Sequence, residues 1–152
     1  MMNRPTSRRS RPAADDEFQT TVAALSDFRY ALRRFLSFSE SMVRSMGVTS
    51  QQHQTLLILV EAGDEGMMIR DLAERMLMLP HGAVQLVNRL VEARLAERRA
   101  DASDGRVSRV HATPKAVELM RVLVKAHARE LRQHEQLLVR SLAAVRRLEK
   151  IE

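Results

Sequence analysis

Apolar residues recur every three or four positions at both ends of the chain, which predicts a long amphipathic helix at each end. The first predicted helix runs from about residue 16 to 46, and its stripe comprises Phe18, Val22, Leu25, Phe28, Leu32, Phe35 and Phe38. The second begins at Thr113-Pro114, because Thr is a favoured N-cap and Pro is tolerated at the first helical position. Its stripe comprises Met120, Val124, His127, Leu131, His134, Leu138, Leu142, Val145 and Leu148. No Pro or Gly follows, so one helix about 58 Å long or two helices broken near 128–134 both fit the pattern.

Three shorter helices are predicted between the long ones, over about residues 51–62, 68–76 and 81–94. Gly47 is suited to end the first long helix, and Thr49 or Ser50 to cap the next helix. Pro80 suits the first turn of the third short helix, where its missing N–H costs nothing. Asp104-Gly105 lies between strand-like runs at 95–99 and 107–112, which indicates a β-hairpin.

The order helix, helix, helix, hairpin over residues 50–113 is that of a winged helix-turn-helix. The predicted fold class is therefore mainly α with a small β-hairpin wing, flanked by N- and C-terminal dimerisation helices. In such a fold a short support helix positions a second helix to enter the DNA major groove, which is ~12 Å wide. Arginine in a neighbouring hairpin suits the negative potential of a narrow minor groove. The hairpin carries Arg98, Arg99, Arg106 and Arg109.

This organisation predicts four segments. They are a disordered basic tail over 1–15, a dimerisation helix over 16–49, a winged-helix DNA-binding region over 50–113 and C-terminal dimerisation helices over 114–152. The winged-helix region is too small to cover both apolar stripes, and large exposed apolar faces are disfavoured. We therefore expect a homodimer with twofold symmetry in which the terminal helices interlock.

Composition narrows the function classes. The 152 residues carry 25 Lys and Arg against 19 Asp and Glu, and the net charge of +6 favours an anionic partner or simply solubility. The absence of Cys excludes disulfides and thiol chemistry. Without a run of ~20 apolar residues or a signal-peptide core, we expect a cytoplasmic protein with no membrane partner. The tail arginines fit either a solubilising segment or an arm that contacts phosphates: Arg4, Arg8, Arg9 and Arg11.

No catalytic or cofactor motif is present. The sequence has no Gly-rich phosphate loop, no GxSxG and no paired carboxylates with a plausible base. A metal site needs three or four converging ligands, and neither HExxH nor Cys supplies them. We therefore expect packed or solvent-facing histidines at His53, His81, His111, His127 and His134. The interpretation is a binding protein rather than an enzyme, with no cofactor and no metal.

Three stretches resemble the MarR family of bacterial transcription regulators. MIRDLAERM at 68–76 is similar to the family's support helix, AVQLVNRLVEARLAERR at 83–99 to the exit of its recognition helix, and DGRVSRVHATPKA at 104–116 to its wing. The resemblance covers about residues 18–150. It implies a dimeric DNA-binding regulator, usually a repressor, in which Arg106 enters the minor groove while Asp104 helps to fix the wing.

The chain departs from the family pattern at several positions. Arg94 and Ala116 stand where Gly is usual, and Ala112 stands where Leu is usual. The turn after the recognition helix must therefore form without positive φ, or Arg94 must adopt it. Residues 80–83 replace the Ser and Thr residues frequent at the start of the recognition helix, so a relative's DNA sequence preference is not transferable.

The predicted DNA contacts lie on the recognition helix and the hairpin. Gln85 lies one turn beyond His81, so both can face the groove, where Gln pairs bidentately with adenine. His81 fits a base contact, a phosphate contact or a helix cap. Asn88 and Arg89 fit phosphate contacts or structural contacts. The full predicted set is His81, Gly82, Gln85, Asn88, Arg89, Arg98, Arg99, Asp104, Arg106 and Arg109.

The resemblance also implies a crevice for a small aromatic acid between the dimerisation helices and the winged-helix region. The candidate lining residues are Phe28, Tyr30, Arg34, Phe35, Phe38, His53 and Met68. Arg34 or His53 is suited to pair with a carboxylate. A helical stripe of Phe is more often core than pocket, so both interpretations stay open.

The leading hypothesis is a homodimeric regulator of a palindromic double-stranded operator, a repressor released by a small-molecule effector. Its two recognition helices must fit successive major grooves, about 34–36 Å apart. Two other classes stay open. One is a winged helix used as a protein-interaction scaffold, and the other is a sequence-neutral, nucleoid-style DNA binder that uses the basic tail.

Overall fold

The computed structural model describes residues 13–101 and 108–148. Its helices are α1 (Ala13–Ser45), α2 (Ser50–Ala62), α3 (Ile69–Arg75), α4 (Pro80–Glu92) and α5 (Pro114–Leu148), with a 3-10 turn over Gly63–Glu65. Its strands are β1 (Met67–Met68), β2 (Ala96–Ala100) and β3 (Ser108–Ala112). The mainly helical class with a small antiparallel sheet is confirmed. Of the two alternatives for the C-terminal stretch, one continuous helix is the observed one.

Local capping signals fix the starts of three helices. Thr49 is the N-cap of α2 and forms a capping box with Gln52, in which each side chain bonds the other residue's backbone N–H. Pro80 opens α4 as the first helical residue. The Thr113 hydroxyl accepts from the N–H of Ala116 at 3.2 Å and donates to the carbonyl of Arg94 at 2.8 Å, so it also ties α5 to the end of α4.

The sheet has three strands in the order β1-β3-β2, and both pairings are antiparallel. The sequence predicted only the β2–β3 hairpin, so the third strand is a correction. In the register Met67 lies opposite Val110 and Met68 opposite Arg109. A two-residue strand is too short to show the alternation of apolar and polar residues that marks a strand. Its partner is also more than 40 positions away, so no local pattern predicts it.

Two turns use left-handed backbone at residues other than Gly. Leu77 follows α3 with φ 50° and Arg94 follows α4 with φ 58°. Each turn closes with the same pair of bonds, which at Arg94 run from its N–H to the Val91 carbonyl and from the Leu95 N–H to the Leu90 carbonyl. Arg94 therefore adopts the positive φ that the family's usual Gly would supply, at a cost of about 1 kcal/mol.

The segment Leu36–Glu130 forms one compact unit, called here the winged lobe. Leucines and valines from every helix of the lobe meet in one core beneath the sheet. Its fully buried side chains include Val43, Leu56, Leu59, Leu72, Val87, Leu90, Val110, Met120 and Leu123. This core fixes α4 and the sheet on a common base.

The second unit comprises the described parts of Met1–Phe35 and Leu131–Glu152 and is called here the terminal-helix unit. Its buried side chains are small, with Ala24, Ala31 and Ser141 among them. Large apolar side chains are exposed instead, as for Phe18 at 62% and Leu142 at 48%. None of the helices among the described residues combines the length and apolar character that a bilayer crossing demands.

Candidate nucleic-acid interface

Helix α4 separates an apolar face from a polar face. Ala83, Leu86, Val87 and Leu90 are buried against the core of the winged lobe. The predicted contact residues on the other face are exposed, with Gly82 half-buried: His81, Gln85, Asn88 and Arg89. Positions 81, 85 and 88 succeed one another at helical spacing, so their side chains share one outward stripe.

The N-terminus of α4 has no side-chain cap. Leu79 is the N-cap residue, and its side chain makes no capping hydrogen bond. A Cβ added at Gly82 would lie 3.9 Å from the Met78 sulfur, which is an ordinary contact. Packing within the winged lobe therefore does not require a glycine at position 82. The absence of a side chain there leaves the outer surface of the first turn of α4 uncovered.

A side-chain hydrogen bond joins α4 to β2. Arg98 on β2 donates from Nη2 to the Asn88 Oδ1 at 2.8 Å. The sequence pointed to Asn88 or Arg89 as a possible structural contact, and the structure selects Asn88 for this bond. Both partners are exposed, so the bond lies on the same surface as the polar stripe of α4.

The predicted wing residues fall into two groups. Arg99 on β2 bonds the Glu97 carboxylate from Nε at 2.9 Å and also from Nη2, and both side chains are substantially exposed. Asp104 and Arg106, and with them the predicted Asp104-Gly105 turn, lie outside the described residues.

Arg109 on β3 differs from the other wing arginines. Its Nε bonds the Asp101 carboxylate, and its Nη1 lies 3.4 Å from the carbonyl oxygens of both Glu65 and Gly66. The hydrogen bond to Asp101 raises the pKa of the Arg109 guanidinium, and the charges of Asp101 and Glu65 act in the same direction. No local sequence pattern indicates these contacts, because Glu65 and Arg109 are far apart along the chain.

The candidate effector residues are brought together only in part. Phe38 and His53 meet at His127, whose ring stacks on that of His53 at 4.7 Å between centroids and meets Phe38 edge-on at 5.8 Å. Met68 is half-buried in β1. The other candidates belong to the terminal-helix unit, where Tyr30 and Arg34 are exposed and Phe28 and Phe35 are half-buried.

The histidine pair has a defined protonation pattern. His127 Nδ1 lies 2.6 Å from the Leu123 carbonyl, which only accepts, so Nδ1 carries the proton. In the neutral ring Nε2 then accepts from the Ser39 hydroxyl at 2.8 Å. The His53 Nε2 is buried and has no hydrogen-bond partner among the described residues. Burial, and after it the neighbouring His127, lowers the pKa of His53 from 6.5 to about 4.

A metal centre finds no support in the part of the chain that the structure describes, since no three His, Asp or Glu side chains converge there. Three of the five histidines, His53, His111 and His127, are buried, whereas His81 is exposed and His134 is half-buried.

Comparison with known proteins agrees with this architecture. Residues 46–107 match the family model described as MarR family. Residues 46–107 are therefore similar to the winged helix of the MarR family. The match spans α2, β1, α3, α4 and β2.

Solved MarR-type structures share the fold over most of the chain. A MepR mutant from a multidrug-resistant S. aureus clinical isolate is 18% identical, with a TM-score of 0.64 over 78% of this chain and 94% of that one. The S. aureus MepR–DNA complex is 20% identical, with a TM-score of 0.57 over 82% and 98%. CouR from Rhodococcus jostii RHA1, bound to p-coumaroyl-CoA, is 24% identical, with a TM-score of 0.60 over 66% and 69%. No curated protein sequence matches the chain.

Proposed function

We propose that this protein is a homodimeric regulator that binds a palindromic double-stranded operator. The observation that carries the proposal is the outward stripe of α4. A buried apolar face holds this helix on the lobe core, while His81, Gln85 and Asn88 stand exposed on its other side. A helix presented in this way has the shape and the polar groups that a major groove accepts.

The roles of the contact residues follow from their positions. His81, Gly82 and Gln85 lie in the first two turns of α4, the part of a recognition helix that meets base edges. Gln85 reads adenine through its amide, and Arg89 contacts a phosphate. Asn88 holds β2 against α4 through its hydrogen bond with Arg98. From the family resemblance, Arg106 enters the minor groove beside Arg98 and Arg99, and Asp104 steadies the loop.

Two copies are needed for this mode of binding. The exposed apolar stripe of the terminal-helix unit supplies part of the surface that a second copy covers, within the proposed dimerisation segments 16–49 and 114–152. A twofold axis then places two α4 helices about 34–36 Å apart, on successive turns of one face of the duplex. The MepR–DNA complex, with its similar fold, supports this arrangement.

We also propose that the protein is a cytoplasmic repressor released by a small aromatic acid. CouR, a structure of similar fold, was solved with p-coumaroyl-CoA bound. Here the Nε2 of His53, which is buried and has no hydrogen-bond partner among the described residues, is the group best suited to meet a carboxyl or hydroxyl. The ring of His53 stacks on that of His127, which also contacts Phe38. The ligand acts through different affinities for two separations of the α4 helices, because equal affinities would shift nothing. Enzymatic activity has no place in this mechanism.

The proposal is tested by titrating the native protein against two fluorescent duplexes. One carries its own promoter site, found by genomic mapping, and the other is a random sequence of equal length. We expect the promoter duplex to bind much more tightly, with log K falling steeply against log salt as counterions are released. Equal binding to both would favour a nucleoid-style binder, and binding to neither would favour a protein-interaction scaffold. A panel of p-coumarate and benzoate, added to the complex, tests release.

A matched pair of variants sharpens the test. Gln85→Ala removes the proposed adenine contact, whereas Gln54→Ala removes an equally exposed glutamine from α2, outside the predicted contact set. We expect Gln85→Ala to lose about 1–3 kcal/mol of promoter affinity and to leave random-duplex binding unchanged. Gln54→Ala should behave as the native protein does. Parallel behaviour of the two variants would remove α4 from base recognition.

A further inference from the structure

Two side chains of β3 contact the turn that follows α2. Arg109 and His111 are two positions apart on the strand, so they project from the same side of the sheet. The Arg109 Nη1 lies 3.4 Å from the carbonyl oxygens of Glu65 and Gly66. At Gly66 a Cβ would lie 2.4 Å from the His111 ring, so the backbone of the turn packs directly on the imidazole.

The ion pair at this point is largely withdrawn from water. The side chain of Asp101 is 11% exposed and that of Arg109 is 32% exposed. In the Arg99–Glu97 pair the corresponding values are 52% and 43%. A guanidinium that already serves a carboxylate and two carbonyls has few N–H groups left for a phosphate.

Asp101 lies immediately before the segment 102–107, and Arg109 is the second residue of β3 after it. The ion pair therefore joins two residues on either side of the segment that contains Asp104 and Arg106, and these two residues are called here the base of the wing. Through Glu65 and Gly66 the same guanidinium connects that base to the turn between α2 and β1.

We propose that Arg109 is a positioning residue: together with Asp101 it clamps the base of the wing to the Gly63–Gly66 turn and sets the direction in which the wing meets DNA. It does not itself neutralise a phosphate. For its DNA readout the inference rests on the proposed function, and it replaces the direct contact that the sequence predicted for Arg109.

Neutralising Asp101 distinguishes the two roles by the sign of the effect. Asp101→Asn removes a negative charge near the DNA and releases Arg109. If Arg109 contacted a phosphate directly, this variant would bind the promoter duplex as well as the native protein or better. As a clamp it should instead bind roughly 3- to 30-fold more weakly. Glu97→Gln removes a carboxylate from the neighbouring exposed pair and is the matched control, with binding unchanged or tighter.

Arg109→Ala and the double variant complete a thermodynamic cycle. We expect Arg109→Ala to weaken binding about as much as Asp101→Asn does, and the double variant to add little, because both break one clamp. The slope of log K against log salt should stay at the native value, whereas loss of a phosphate contact lowers it by about 0.9. A lower slope for Arg109→Ala, or tighter binding by Asp101→Asn, would overturn the proposal.

A readout without DNA separates this inference from the proposed function. The chain has no Cys, so Ala100→Cys on the exposed end of β2 provides a unique site for a nitroxide label. In the protein without DNA, the label should become more mobile when Asp101→Asn or Arg109→Ala is introduced. Its mobility should stay unchanged when Glu97→Gln is introduced. Unchanged mobility in all three would refute the clamp even if the protein binds DNA. Increased mobility without any DNA binding would refute only the proposed function.

Discussion

The winged lobe and the terminal-helix unit bury apolar surface to very different degrees. In the lobe, Leu56, Leu59 and Leu90 are fully buried. In the terminal-helix unit the buried residues are small, while Phe18 is 62% exposed and Leu142 is 48% exposed. The lobe thus completes a core within one chain, whereas the long helices present an apolar stripe that the single chain leaves uncovered.

This difference assigns different physical tasks to the two regions. A lobe with its own core holds α4 and the sheet in a fixed relation, which recognition of a groove requires. An exposed stripe gains free energy only when another surface covers it, at roughly 25 cal/mol per Å². Under the proposed function, recognition therefore belongs to the lobe and association to the terminal helices, and each prediction below tests one side of that proposal.

The largest effect should come from a charge placed in the stripe. Leu25→Asp should convert the dimer into single chains, since an unpaired carboxylate would have to be buried in the interface. Loss of the second half-site contact should weaken promoter binding by about 100-fold or more. Sedimentation velocity and fluorescence anisotropy measure the two effects.

The control for that variant adds the same charge on the opposite face of α1. Ala23 is exposed and lies about half a turn away from the stripe, so Ala23→Asp should leave both the dimer and the promoter affinity intact. If Leu25→Asp stays dimeric, the assignment of association to this stripe is wrong.

A truncation in the lobe core should lower the free energy of unfolding and leave association of the two chains unchanged. Leu59→Ala leaves a cavity around a fully buried position and should cost about 2–5 kcal/mol in the free energy of unfolding. Leu57, on the same helix, is 41% exposed, and its replacement by Ala should cost less than about 1 kcal/mol. Urea unfolding followed by circular dichroism measures both, and equal losses would show that the lobe core is not packed as described.

Among the buried histidines of the lobe, His53 should make stability depend on pH. The pKa of His53 is about 4 in the folded chain against 6.5 in an unfolded one. Between these values the unfolded state binds more protons, so stability is present above pH 6.5 and is lost as the pH falls toward 4. The loss is at most about 3 kcal/mol.

His53→Gln should remove this part of the pH dependence, and His81→Gln, at an exposed histidine of α4, should keep it. Urea unfolding at pH 7.5 and pH 5 provides the comparison. His127 stacks on His53 and contributes to the lowering of its pKa, so both variants keep His127 unchanged. A native-like pH dependence in His53→Gln would show that this histidine is not the titrating group.

The smallest effect should come from the cap that starts α2. Thr49→Ala removes one half of the capping box and should cost about 1 kcal/mol of stability. Ser50→Ala, one position further on, should be nearly neutral because Ser50 has no part in the box. A difference in melting temperature between these variants is enough for the test, and identical values would mean that the box does not stabilise α2.

Local chemistry made much of this fold predictable. Thr49, Pro80 and the Thr113-Pro114 pair each act on their own backbone or on the next turn, so their roles in starting helices are written in adjacent residues. The buried face of α4 followed in the same way from its periodicity. The roles predicted for Asp104 and Arg106 came from the family resemblance and not from sequence spacing, and both residues lie outside the described part of the chain.

Contacts between distant positions could not be predicted from the sequence. Pairing of Met67 with Val110, stacking of His53 on His127 and the bond from Arg109 to the Gly66 carbonyl join residues more than 40 positions apart. No periodic pattern encodes such pairs, since they depend on how finished elements pack. Leu77 is a further case, because a leucine carries no signal for the left-handed backbone that it adopts at φ 50°.

The central claim is that two copies of this chain, joined through their terminal helices, read one duplex. Sedimentation equilibrium of the native protein, alone and with its mapped promoter duplex, tests it most directly. We expect a free mass of twice 17.3 kDa and a complex of two chains on each duplex. A mass of one chain at working concentration, with no pairing on the duplex, would contradict the account.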